Sequence, residues 1–320
     1  MPTRRSFLSG LTALAAAPAR AQEGQWPARP LRIIIPTAPG GSPDIASRLL
    51  GDKIAPRLGQ TFVVESMTAG GGVPGLQLVS KSTDGHTFAM LTGGFATQAA
   101  VLKNLPYDAV KDFTFIASVV RYPIVYAVRP DSEIKSFKDY IERARAAPNK
   151  VTNGIAAAGS VYHLLGKWID NTAGTEISLV FYRGTALAVQ DVLGGRLDVM
   201  TDASTSMIPR IRNGQLRALA VSSAERYPLL PDVPTMAETV PGIKVESWLG
   251  LAGPADMPRP IVERFNGEIR RALALPEIQK WAEDSGVVPA PSTPDQFRQR
   301  VADDVRQWTE IVVRNNIVVQ

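Results

Sequence analysis

The sequence predicts a two-lobed α/β fold, built from mixed, mainly parallel sheets with helices on both faces and a cleft between the lobes. Three observations predict it. The chain has 320 residues, whereas single hydrophobic cores stop growing near about 250 to 300 residues. Short β-branched runs alternate with glycine turns and helical segments, which is how βαβ units read. Apolar runs near 113–128 and 245–252 have the look of crossings between two cores. With 45% hydrophobic and 20% charged residues, the chain can build such cores and is not a disordered polymer.

The first residues stand apart from the fold. Thr3-Arg4-Arg5-Ser6-Phe7-Leu8 is a twin-arginine pattern, followed by an apolar run from Leu11 to Ala17 and by Ala19-Arg20-Ala21. A basic flank, a short apolar stretch and small residues at the cleavage positions make an export signal over 1–21, too short to span a bilayer. Leu31-Arg32-Ile33-Ile34-Ile35 then reads as a buried strand ended by Pro36. In Ser42-Pro43-Asp44 a helix begins, with Ser as the cap, Pro at the first helical position and an acid in the first turn. Further units follow: strand 61–65, the Gly70-Gly71-Gly72 turn, helix 76–81, then strand 86–92 with Gly93-Gly94. Strands 113–120 and 124–128, broken by Arg121-Tyr122-Pro123, mark the first crossing. The second lobe takes helix 137–147, strand 151–155, helix 160–170, strand 177–181, helix 185–193 and strands 197–201 and 216–221. After the return crossing, helices 260–274 and 293–314 close the chain. The expected organisation is therefore 22–122 and 247–320 in one lobe and 123–246 in the other.

Composition narrows the function. Removal of 1–21 takes away Arg4, Arg5 and Arg20 from 35 basic residues and nothing from the 30 acidic ones, leaving a formal charge of +2 in place of +5. No Lys/Arg block remains, so nucleic acid is not an expected partner. There is no Cys, which excludes disulfides, thiol catalysis, zinc–thiolate sites and a lipidated N-terminal cysteine. After the signal, no apolar run approaches the length of a membrane span. A periplasmic, non-inserted, monomeric protein without cofactor or metal is expected.

Catalysis finds little support. The chain has two histidines, His86 and His163, and neither H-E-x-x-H nor G-x-S-x-G. Ser160 and His163 are three apart at a helix start and could pair as nucleophile and base, but no orienting acid accompanies them. A cap role for Ser160 explains the spacing better. His86 begins a strand and reads as structural.

Binding finds more. Pro36-Thr37-Ala38-Pro39-Gly40-Gly41-Ser42 joins a strand end, two glycines and a helix start. Such a corner offers backbone N–H groups and about half a positive charge, an anion site that needs no Lys or Arg. Ala156-Ala157-Ala158-Gly159-Ser160 is a matching corner in the second lobe. Two such corners could hold the two ends of a dicarboxylate.

An ordered series of motifs adds a resemblance. It comprises Pro36-x-Ala38-Pro39-Gly40-Gly41-x-x-Asp44, Leu58-Gly59-Gln60 with Val63-Val64-Glu65, Gly70-Gly71-Gly72, Asp84-Gly85-His86-Thr87 and Leu105-Pro106-Tyr107-Asp108. Tyr182-Arg183-Gly184, Leu193-Gly194-Gly195, Asn213-Gly214-Gln215-Leu216-Arg217-Ala218-Leu219-Ala220-Val221 and Leu230-Pro231-Asp232-Val233-Pro234-Thr235 complete it. Over nearly the whole mature chain the sequence resembles the Bug receptors, the solute-binding components of tripartite tricarboxylate transporters. The resemblance implies a periplasmic-binding-protein-like (type II) fold and capture of a small organic anion, a dicarboxylate or an aromatic acid, by lobe closure. It further implies membrane transporter subunits as partners, a membrane sensor kinase being the alternative, with an exported Ser160/His163 hydrolase as the reading from another class. Carried over position by position, it implies ligand contacts from Thr37, Ala38, Gly40, Gly41, Ser42 and Asp44, and from Thr92 and Gly93. The second lobe would add Ala157, Gly159, Ser160, His163, Tyr182, Gly184 and Asp202. The chain departs from the family pattern at Thr37, where an aromatic is common, at 65–69, at Ala157, at Phe181, and at Thr201 and Ala203 around Asp202. Those departures flank the expected pocket, so they bear on ligand identity rather than on fold.

Overall fold

The computed structural model describes residues 26–155, 159–182 and 185–317. The segment 1–21, expected as an export signal, and Ala157 and Gly184 lie outside the described residues. In chain order the strands are β1 (Leu31–Ile35), β2 (Phe62–Ser66), β3 (Thr87–Thr92), β4 (Phe113–Val128), β5 (Thr152–Ile155), β6 (Ser178–Phe181), β7 (Val199–Ala203), β8 (Arg217–Val221), β9 (Glu246–Pro254) and β10 (Val288–Pro289). The helices are α1 (Ser42–Leu58), α2 (Val73–Ser80), α3 (Gly94–Val101), α4 (Phe137–Ala146), α5 (Val161–Ala173), α6 (Thr185–Leu193), α7 (Ser204–Arg212), α8 (Arg259–Leu273), α9 (Pro276–Asp284) and α10 (Pro294–Arg314).

β1 lies between parallel β2 and β3, β3 meets antiparallel β9, and β9 meets the first half of β4. From Ile124 onward β4 pairs instead with β7 and β8, and β7 leads on to parallel β5 and β6. One 16-residue strand thus belongs to two sheets. The two strands expected over 113–120 and 124–128 are a single element, because the break expected at Pro123 does not occur. Pro123 pairs with Glu246 at the last register of one sheet, the point where a missing N–H costs the ladder least.

Ser222 fastens the crossing. Its Oγ accepts from the Ile124 N–H at 2.8 Å and donates to the Val245 carbonyl at 2.5 Å. Its own N–H and carbonyl bond Ile124 and Val245 at 2.9 and 2.7 Å. The crossing strand β4 and the segment that leads into β9 are therefore held together at one buried serine. A second link is α10, whose 21 residues span about 31 Å at 1.5 Å per residue. Its Phe297 and Val301 pack with Phe115 and Trp248, while Trp308 and Ile311 join the core around Tyr126, Leu164 and Val199. The final helix was expected with the first lobe; its residues join both of these cores.

Helices α3, α7 and α9 and the short β10 were not anticipated. α3 opens on glycine and has no one-sided apolar stripe, and α7 carries Pro209 within its span. Such segments give weak helical signals. Ser42 is the first helical residue of α1, and the cap is Gly41, not Ser42.

Candidate functional site

Five helices begin at one place. The first residues of α1, α3, α5, α6 and α7, or their caps, all reach the wall of a cavity of about 990 Å³ between the sheets, through Ser42, Gly94, Ser160, Thr185 and Ala203. Each start follows a strand end: β1, β3, β5, β6 and β7. Parallel strands and right-handed crossovers force this, since they put helix N-termini at the carboxyl edge of the sheet. Every helix start carries roughly half a positive charge on unbonded N–H groups.

Of the residues expected in the site, Thr37, Gly40, Gly41, Ser42 and Thr92 from one side and Gly159, Ser160 and Asp202 from the other share this cavity. Ala38, Asp44, Gly93, His163 and Tyr182 do not line it, and their bonds explain why. Asp44 is buried, and its carboxylate accepts from the Gly40 N–H and from Arg48 Nε, both at 2.8 Å. The Gly93 N–H donates to the Trp248 carbonyl at 3.1 Å. The carbonyl of Ala38 receives the Gly41 N–H at 3.4 Å, and the Tyr182 hydroxyl donates to Asp191 at 2.5 Å.

The glycine amides expected as donors are thus largely committed. Gly40 serves Asp44, and Gly159 donates to Nδ1 of His163 at 3.1 Å. The open donors sit one step further on. On the cavity wall, the N–H groups of Ser42 in α1 and of Val161 and Tyr162 in α5 have no acceptor among the described residues. The glycines shape the corners, with Gly40 at φ 81°, and the first helical turns supply the charge. Gly72, at φ 89°, packs so close that a Cβ there would lie 2.3 Å from Pro36 Cβ. That contact seats the 70–72 turn against the first corner.

Among the described residues no Lys or Arg lines the cavity, and the acids there are Asp202 and Asp284. Asp202 is engaged by the Thr185 hydroxyl at 2.5 Å and by the Ala203 N–H at 2.7 Å. Asp284 is paired with Lys280 at 3.0 Å. Burial, with Asp202 adding to it, raises the Tyr122 and Tyr162 phenols above their usual range, so both remain neutral hydroxyls. Sequence reasoning missed Gln98, Tyr162, Thr185 and Thr205, and the wall formed by Trp281 and Ser285. Thr185 was recoverable as the start of a foreseen helix; Trp281 and Ser285 were not, because α9 was unseen.

Ser160 and His163 do not form a catalytic pair. The Ser160 hydroxyl caps the His163 N–H at 3.4 Å, and the imidazole faces Gly159 and stacks edge-on with Phe181 at 5.3 Å. Because Nδ1 accepts a hydrogen bond, the ring is neutral with its proton on Nε2. Burial first, and then Lys167, hold its pKa below 6.5. A depressed histidine pKa means the unfolded chain takes up the proton first. Stability is therefore full above 6.5, falls as the pH drops through that value, and levels off below the folded-state pKa. We expect urea midpoints measured from pH 7.5 to 5 to fall more steeply for the wild type than for His163→Gln. Identical slopes would show that His163 is not the titrating group.

Residues 46–317 match the model of the tripartite tricarboxylate transporter family receptor. The chain belongs to that receptor family. Its similarity to protein BugT of Bordetella pertussis is 32% identity over 305 residues, covering 94% of this chain and 93% of BugT. A protein of Pseudomonas sp. from the tcbD–tcbE intergenic region is 33% identical over 315 residues, covering 97% of this chain and 94% of its own. The solved periplasmic binding protein BugD superposes with a TM-score of 0.81 at 31% identity, over 92% of this receptor and all of BugD. An R. palustris structure with adipate gives 0.83 at 29% identity, over 92% of the receptor and 99% of that chain. MatC from Rhodopseudomonas palustris, with bound malate, gives 0.79 at 28%, over 90% of the receptor and 100% of MatC. The receptor is thus a non-enzymatic periplasmic binding protein with the mixed α/β architecture of the Bug structures.

Proposed function

We propose that this receptor captures a small carboxylate, a dicarboxylate or an aromatic acid, by closing 22–122 with 247–320 and 123–246 around it. It then presents the closed form to the membrane subunits of a tripartite transporter. The observation that carries this reading is the convergence of five helix starts on one cavity. An anion gains there from open N–H donors that water cannot match in preorganisation. About four charge-assisted bonds at roughly 1.5 to 3 kcal/mol each give a gross of about 6 to 12 kcal/mol. After ordering and closure are subtracted, micromolar affinity is the natural outcome. Malate and adipate in the related structures support the same ligand class. Contacts available only when both corners meet give the closed state its differential affinity.

The test is a thermal-unfolding screen of the mature chain against organic acids, sugars and amino acids. At a ligand concentration about 100 times Kd, linkage adds roughly 2.7 kcal/mol, which raises the midpoint by about 5 °C or more. We expect that rise with at least one C4 to C6 dicarboxylate or aromatic acid. A response to sugars or cationic amino acids alone contradicts the proposal.

A further inference from the structure

Behind the cleft lies a second recess of about 140 Å³, lined by Thr37, Gly71, Thr92 and Gln98, which it shares with the cleft, and by Leu76, Leu91, Phe95 and Pro36. Two polar atoms on this boundary are buried without a partner: Thr37 Oγ1 and Gln98 Oε1. The Gln98 side chain cannot turn its amide around, because Nε2 donates to the Gly71 carbonyl at 2.7 Å. The Thr37 carbonyl is likewise taken, by the Ser66 hydroxyl at 2.6 Å. The remaining Gln98 oxygen accepts only, the Thr37 hydroxyl accepts or donates, and the far wall is apolar. A carboxylate placed there would face an acceptor. A hydrocarbon end would leave both polar atoms unmet, and buried polar groups without partners are rare.

Resting on the carboxylate reading of the cleft, we propose that this recess receives a neutral hydrogen-bond donor carried by the bound acid, a hydroxyl or a primary amide. The receptor's ligand is then a hydroxy- or carbamoyl-substituted acid. Its carboxylate lies at the helix starts and its donor reaches past Thr37 to Gln98. The volume fits this, since a hydroxyl- or amide-bearing carbon needs little more than the space of a few water molecules at about 30 Å³ each.

Calorimetric titration of the mature chain with matched C4 to C6 acids tests it, each acid compared with and without one hydroxyl or amide, malate and succinate among them. One well-placed bond of this kind gives about a 10-fold preference for the donor-bearing member. In Thr37→Val and in Gln98→Met the preference falls to within about 2-fold, whatever the absolute affinity. Equal affinities within every wild-type pair, with binding intact, would mean that the recess holds water only; the proposal then fails while the cleft reading stands. Failure of every carboxylate to bind overturns the cleft reading and this proposal together. Should a variant unfold, the wild-type pairs alone decide.

Discussion

Replacing Ser42 by Asp weakens carboxylate capture about 100-fold or more while leaving the receptor folded. Ser42 is the first residue of α1, on the cavity wall, with its N–H open. A carboxylate side chain at that point interacts favourably with the helix start and occupies its charge. The ligand's anion then meets a fixed negative charge about 5 Å away, a repulsion of roughly 3 kcal/mol at an effective dielectric near 20. Affinity falls about 100-fold or more, and the unfolding temperature stays level or rises, since an acid in the first helical turn contributes about 0.3 to 1 kcal/mol. Calorimetric titration and thermal unfolding of the same sample separate the two effects. A variant that binds the acid with undiminished affinity would show that α1 does not receive it.

Gly250→Ala strongly destabilises the fold. Gly250 lies in β9, facing Leu91 of β3 and Ser118 of β4. Its missing side chain leaves room for the Phe297 ring of α10, to which an added Cβ would come within 2.1 Å. Phe297 is fully buried, with Phe115 and Trp248 edge-on at 5.4 and 5.1 Å, so the ring has nowhere to retreat. Overpacking of this kind costs about 3 kcal/mol. We expect a matching fall in ΔG from urea titration, and partial recovery in the double variant Gly250→Ala/Phe297→Leu, where the smaller side chain returns the space. A single variant as stable as wild type would mean that α10 docks differently.

Several parts of this molecule could be read from residue order because local chemistry decided them. β1 is β-branched and buried over Ile33, Ile34 and Ile35. Pro43 and Asp44 stand in the first turn of α1, as the order Ser42-Pro43-Asp44 implies. Ser160 caps α5 as its spacing with His163 implies. What escaped was decided by distant contacts. β4 continues through Pro123 because two different partner strands take over on either side of it, which no local signal records. α7 is a weak helix by composition, with Pro209 inside it, and α9 has only nine residues, yet they complete the cleft through Thr205 and Trp281. The site suffered in the same way. Sequence placed both glycine corners at the cavity but assigned donation to the glycines. In the folded chain Asp44 and His163 consume those amides, a competition between a side chain and its own loop that spacing alone does not reveal.

The most direct measurement is a crystal structure of the receptor with whichever acid raises its unfolding temperature most. Ligand oxygens should lie roughly 3 Å from the open N–H groups at the start of α1 or α5, directly or through a single bridging water, with both sheets contributing to the enclosure. An acid bound on one sheet only, with its carboxylate turned away from both helix starts, would contradict the account.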